Sequence, residues 1–132
     1  MLIGIDLDGT ISRARLYNPS LRLPWCLFIF LIPLILLTKP NKEAVRKIRE
    51  MKDRGHEIII ISARPPWVKN LTIGWLRVHH VPFDKIFCVG FGTGTKDRKL
   101  EVIKKEGIQY FFDDNKRIVD FLNHNSVEAT HL

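Results

Sequence analysis

The sequence predicts an α/β fold in which a parallel sheet of about five strands is flanked by helices. Three observations predict it. Short β-branched or aromatic runs recur at "LIGIDL", "EIIIISA", "KIFCVG" and "QYFFDD", each bounded by polar residues or glycine, as buried strands are. Segments with helical periodicity and caps separate them. Strand and helix alternate, which argues for parallel pairing through right-handed crossovers covering both faces of the sheet.

The elements follow in order. The first strand runs into Asp6-Leu7-Asp8-Gly9-Thr10, two carboxylates one residue apart where an apolar run ends. "NKEAVRKIREMKDRG" is a helix with Asn41 as N-cap, an inward stripe of Ala44, Val45, Ile48 and Met51, and Gly55 as its C-terminal stop. "PWVKNLTIGWLRVHH" is a second helix, with Pro66 near its first position and Leu71, Trp75 and Leu76 on one side. "GFGTGT" lacks the full phosphate-loop pattern and reads as a flexible approach to a third helix from Thr95 to Gly107. Asn115 caps a fourth helix, "NKRIVDFLNHN", and "VEATHL" supplies a fifth, weaker strand.

A chain of 132 residues suits a single domain with one core. A hydrophobic fraction of 45% and a charged fraction of 27% exclude a disordered chain. The net charge of +7 favours anionic partners, although Lys and Arg are interleaved with Glu and Asp as on solvated helix faces. Nucleic acid is therefore not the first expectation. Cys26 and Cys88 lack CxxC or metal-ligand spacing, which argues against a disulfide framework and for a reducing, cytoplasmic setting. The N-terminus reads as a strand rather than a signal peptide.

In parallel sheets the site lies beyond the carboxyl ends of the strands. Those tips carry Asp6 and Asp8 after the first strand, Ser62 and Arg64 after the second, and Asp113 and Asp114 after the fourth. Carboxylates converging on one edge repel unless a cation lies among them, and oxygen donors of this kind suit Mg²⁺. With a hydroxyl and a lysine nearby, the parts suit phosphoryl transfer. Taken singly, each has a blander reading. Asp-x-Asp-Gly-Thr can be an acidic turn, Ser62 a satisfied loop hydroxyl, Asp113-Asp114 a helix cap, and Arg64 a surface residue. Thr72 and Trp75 suit packing, and His79-His80 a helix end.

Together, Asp6-Leu7-Asp8-Gly9-Thr10, Ser62 after "IIII", a lysine before "LEVIKKEGIQYFFDD" and Asp113-Asp114 resemble the four motifs of the haloacid dehalogenase superfamily, in its phosphatase branch. Thr72, Trp75, Leu76 and His79 resemble a stretch of its small 5′-nucleotidase-like group. The resemblance covers nearly the whole chain except about residues 13–40. It implies a Rossmann-like fold and a Mg²⁺-dependent phosphomonoester hydrolase acting on a nucleotide or another small phosphate. Asp6 would be the nucleophile that forms an aspartyl-phosphate, and Asp8 the general acid and base. Thr10, Ser62, Ala63 and Arg64 would hold the substrate. Asp6, Asp8 (through its main-chain carbonyl), Asp113 and Asp114 would bind the metal. The lysine is Lys99, at the family-like distance from the acidic pair, or Lys96, three residues earlier and able to face the same way.

The insert is anomalous. From Trp25 to Leu37 it has no charge and no polar face, yet as a helix it would reach only about 20 Å, short of the roughly 30 Å hydrocarbon core. Pro24 and Pro33 also interrupt it. It would serve as a minimal cap, as a homo-oligomer interface, or as a membrane-surface contact with Arg22, Lys39 and Lys42 at the headgroups. Alternative readings are therefore a membrane-associated phosphatase of a lipid or polymeric phosphate, or a catalytically weak scaffold. A phosphoacceptor receiver module would need an aspartate at the third strand's end, where "CVGFG" has none.

Overall fold

The computed structural model describes residues 1–12 and 37–131. Five strands, β1 (Leu2–Ile5), β2 (Glu57–Ser62), β3 (Lys85–Cys88), β4 (Tyr110–Asp113) and β5 (Glu128–His131), form one sheet in the order β3-β2-β1-β4-β5. Every pairing is parallel. Among the described residues four helices connect them: α1 (Lys42–Asp53), α2 (Lys69–Val78), α3 (Thr95–Glu106) and α4 (Lys116–His124).

Alternation along β2 makes the three layers. Ile58 and Ile60 point to one face, where they meet Val45 and Ile48 of α1 and Trp75 and Leu76 of α2. Ile59 and Ile61 point to the other, toward Ile103 of α3 and Ile118 and Leu122 of α4. Each of these fully buried isoleucines stabilises the fold by roughly 1.5–3 kcal/mol relative to an exposed one. Gly4 of β1 lies under Phe111 of β4, and a Cβ there would come within 2.5 Å of that ring.

The caps act as the sequence requires. The Asn41 side chain accepts from the backbone N–H of Glu43 and Ala44, and Asn115 accepts from Arg117. Two details differ from expectation. The segment from Pro66 opens as a short 3-10 turn, Pro66–Val68, before α2 begins. The buried face of α2 is formed by Thr72, Trp75 and Leu76, while Leu71 is only half-buried. Thr72 is tolerated inside because its hydroxyl donates to the carbonyl of Val68 at 2.8 Å.

After β1 the chain turns tightly. Gly9 takes a φ of 86°, and the N–H groups of Ile11 and Ser12 both reach the Leu7 carbonyl at 2.9 Å. Ser12 then bridges Pro40, and Asn41 N–H donates to Ile11 O at 2.6 Å. The chain thus leaves at Ser12 and is back beside it at Pro40. The apolar run from Trp25, with Arg22, Cys26 and the cap, interface and membrane readings that rest on it, lies outside the described residues, save Leu37, which is exposed. Among the described residues no helix is long and apolar enough to cross a membrane.

Candidate active site

β1 and β4 are neighbours at the centre of the sheet, so their tips deliver Asp6 and Asp113 side by side. Asp6 lies one residue past β1, where its N–H still bonds Phe112 O at 2.9 Å. One ligand oxygen from each of Asp6, Asp113 and Asp114 lies within 4.8 Å of the other two, and all three residues are buried. Lys99, near the middle of α3, reaches between two of them, with Nζ 2.8 Å from Asp6 Oδ1 and 2.8 Å from Asp113 Oδ2. Thr10 donates to the other oxygen of Asp6 at 3.4 Å, and Asn115 N–H donates to Asp113 Oδ1 at 2.9 Å. His131 of β5 closes the far side through its contact with the Asp114 carbonyl at 2.8 Å.

This geometry decides which lysine reaches the acids. Lys96 faces solvent, its ammonium 4.9 Å from the centre of the Phe121 ring, and does not approach the carboxylates. Three residues advance a helix by about 300°, which leaves the two side chains about 60° apart, and it is Lys99, the preferred of the two lysines, that points at the acids.

A second pair forms alongside. Arg64 is neither a surface residue nor placed on open solvent: it is fully buried and grips Asp8, with Nη2 2.7 Å from Oδ1 and Nε 3.0 Å from Oδ2. Its remaining arm donates to the Thr72 hydroxyl at 3.1 Å. Thr72 therefore belongs to the site's framework as well as to the core. The Asp8 carboxylate is aimed at Arg64 and is not part of the Asp6-Asp113-Asp114 group, so among the described residues the cluster is three acidic side chains, and a role for Asp8 at a metal rests on its main-chain carbonyl. The Arg64 N–H donates to Ser62 Oγ at 3.0 Å, which leaves the Ser62 proton for another oxygen. Ala63 is buried between them. The chain beyond β3 braces this loop, since Val89 N–H bonds Ser62 O and Gly90 N–H bonds Arg64 O.

The Gly90–Thr95 loop is not a phosphate cradle. Its carbonyls turn inward onto the Arg98 guanidinium, which donates to Val89 O at 2.7 Å and Thr93 O at 3.1 Å. That arginine anchors the start of α3, one residue before Lys99.

The electrostatics are unbalanced. Burial, the strongest cause, and the nearby Asp113 charge push the Asp6 carboxyl well above its ordinary value, and Lys99 offsets them only in part. Burial works against the Lys99 charge, but Asp6 and Asp113 outweigh it and hold the ammonium above its ordinary value. One cation is shared among several carboxylates, so the deficit falls on the acids. Hard oxygen donors at this spacing, with negative charge in excess, fit a small divalent cation such as Mg²⁺.

Residues 35–121 match the family described as PITM 1-3, LNS2 domain. The chain belongs to the LNS2-domain family. That family's haloacid dehalogenase-like fold is the one the motifs anticipated. Among curated relatives, a protein named "Putative nucleotidase" from Oceanobacillus iheyensis is 30% identical over 86 residues, 64% of this chain and 44% of its own length. Another of that name, YqfW of Bacillus subtilis, is 25% identical over 139 residues, 86% of this chain and 69% of its own. The LNS2-type chain thus spans less than half of the Oceanobacillus relative. In fold it resembles a chain of the Pnkp1/Rnl/Hen1 RNA repair complex (TM-score 0.76, 17% identity, covering 99% of this chain and 42% of that one). It also resembles D,D-heptose 1.7-bisphosphate phosphatase from B. bronchiseptica, complexed with magnesium and phosphate (TM-score 0.66, 9% identity, covering 97% and 78%).

Proposed function

We propose that this LNS2-family chain is a single catalytic domain, with an insert at 13–40, that hydrolyses phosphate monoesters through an aspartyl-phosphate on Asp6. The observation that carries the reading is the meeting of Asp6, Asp113 and Asp114 around Lys99 at the tips of the two central strands. The names of its curated relatives and the fold it shares with solved phosphatases support the same reaction class and a nucleotide as substrate.

Asp6 attacks phosphorus with one carboxylate oxygen while Lys99, on the neighbouring oxygen, fixes its direction. Asp8 protonates the departing oxygen and later takes a proton from the water that cleaves the acyl-phosphate. Arg64 holds the Asp8 carboxylate in place for both steps, and Ser62 donates its free proton to a phosphoryl oxygen. Asp6, Asp113 and Asp114, with the Asp8 carbonyl, would hold Mg²⁺. Bound there, it would neutralise charge on the transferring phosphoryl group.

Turnover of p-nitrophenyl phosphate, measured with Mg²⁺ and with EDTA, tests the reading. Metal-dependent hydrolysis that disappears in Asp6→Asn is expected. Absence of turnover with Mg²⁺, or full activity in Asp6→Asn, would overturn it.

A further inference from the structure

The peptide unit between Asp114 and Asn115 is held at both of its ends. Its N–H, on Asn115, donates to Asp113 Oδ1 at 2.9 Å, and its carbonyl, on Asp114, lies 2.8 Å from His131 Nε2. A carbonyl only accepts, so Nε2 carries the proton in that contact. The N–H and C=O of a trans peptide point in opposite directions, so the unit joins His131 on one side to the Asp113 carboxylate on the other. Rotation of that plane would withdraw the N–H from Asp113 Oδ1. Lys99 holds the second oxygen, Oδ2, at 2.8 Å, so the two contacts together set how the Asp113 carboxylate is turned. Asp113 is one of the three acids that meet at the tips of the central strands.

The fold delivers this imidazole from a fixed base. β5 pairs with β4 in a register that sets His131 opposite Asp113. Two residues earlier Asn123 of α4 grips the strand, accepting from the Ala129 N–H at 3.0 Å and donating to the Ala129 carbonyl at 3.1 Å. The same helix begins behind the cap residue Asn115, whose N–H is the one bound to Asp113. Backbone groups make the β4–β5 ladder, so the strand itself makes no demand for a ring donor at position 131.

We propose that His131 is a positioning residue for the divalent cation: through the Asp114–Asn115 peptide it keeps the Asp113 carboxylate turned as the acid group requires. The inference rests on the metal reading above and concerns binding of the ion, not hydrolysis. A carboxylate left free to turn must be ordered when the ion arrives, and that ordering lowers affinity. Groups that orient a ligand from behind in this way are typically worth about 10–100-fold in metal affinity.

Calorimetric titration of the full chain with MgCl₂, with no substrate present, tests it. His131→Ala is expected to raise the Mg²⁺ Kd by about tenfold or more. His131→Gln, whose carboxamide N–H still donates to a carbonyl, is expected to recover most of that loss. Thermal midpoints in EDTA read what the side chain does for the fold alone. Should His131→Ala not fold, His131→Phe takes its place, since it suits a strand and has no donor. A Kd that the donorless variant leaves at the wild-type value overturns the proposal, and so does a loss that His131→Gln shares in full. A wild type that binds no Mg²⁺ overturns it together with the metal reading. Mg²⁺ binding that depends on His131, without turnover of p-nitrophenyl phosphate, upholds the proposal and sinks only the hydrolase reading.

Discussion

Consider replacing Arg64 by methionine. The guanidinium holds Asp8 from 2.7 Å, and both side chains are almost wholly shielded from water. At an effective dielectric near 20, a unit pair at that distance attracts by about 6 kcal/mol, an upper bound before desolvation. Removing both ions from water costs several kcal/mol each, so the pair itself adds little over an apolar substitute. Removing one partner is different, because it strands a buried charge. Arg64→Met is therefore expected to cost about 3–5 kcal/mol and Asp8→Asn somewhat less, while the double variant costs about 2–3 kcal/mol less than the two losses together. Against a total stability of roughly 5–15 kcal/mol such a loss is a large fraction of the whole, and urea unfolding at pH 7 compares the four proteins. On p-nitrophenyl phosphate, Arg64→Met loses about a hundredfold in kcat through a misaligned Asp8. Arg64→Lys does not restore it, because an ammonium lacks the planar fork that spans both Asp8 oxygens. A coupling below about 0.5 kcal/mol would refute the reasoning, since the two groups would then act independently.

Four other substitutions test three separate parts of the structure. Lys99→Met removes both 2.8 Å contacts, and kcat is expected to fall by about 10²–10³, whereas Lys96→Met leaves it within a few-fold; equal losses would contradict the placement of the two side chains. Gly4→Ala forces a methyl against Phe111 and Ile108 and is expected to cost about 1–3 kcal/mol in urea unfolding; an unchanged midpoint would mean that the ring moves aside freely. Asp84 is held below its ordinary value: burial raises it, but the Lys52 ammonium and the Ile58 N–H outweigh that effect. A depressed folded value means stabilisation that is complete above the unfolded value near 4 and lost as pH falls through the folded one. Asp84→Asn should thus cost about 1 kcal/mol at pH 7, discounted for partial exposure, and close to nothing at pH 2; an equal difference at both would refute the ion-pair account.

The strands and caps were legible because their signals are local. "EIIIIS" is buried on both sides of the sheet, and Asn41 and Asn115 each sit one residue before a helix begins. The carboxylate tips were legible because topology alone brings the ends of β1 and β4 together. Side-chain direction was not. Lys96 and Lys99 differ by less than one helical turn, and only the packing of α3 sends one inward. Arg64 was read as surface or as a phosphate contact because its burial depends on Thr72 and Asp8, far apart in sequence. A hydroxyl at 72 on an otherwise apolar helix face was the available signal, and Pro65-Pro66 obscured it by suggesting a solvent loop. "GFGTGT" lacks the full phosphate-loop pattern, and its glycines free the backbone to wrap an arginine rather than an anion.

The contact of Ser12 with Pro40, tightened by Asn41 on Ile11, has a consequence for how such a domain can change. Departure and return share one doorway, so whatever hangs there can be lengthened, shortened or exchanged while the doorway stays shut. Doubling the length of the excursion adds only about 0.6 kcal/mol of closure entropy. The connection between Ser12 and Pro40 can therefore differ in length from one such chain to another with the strands beneath left as they are.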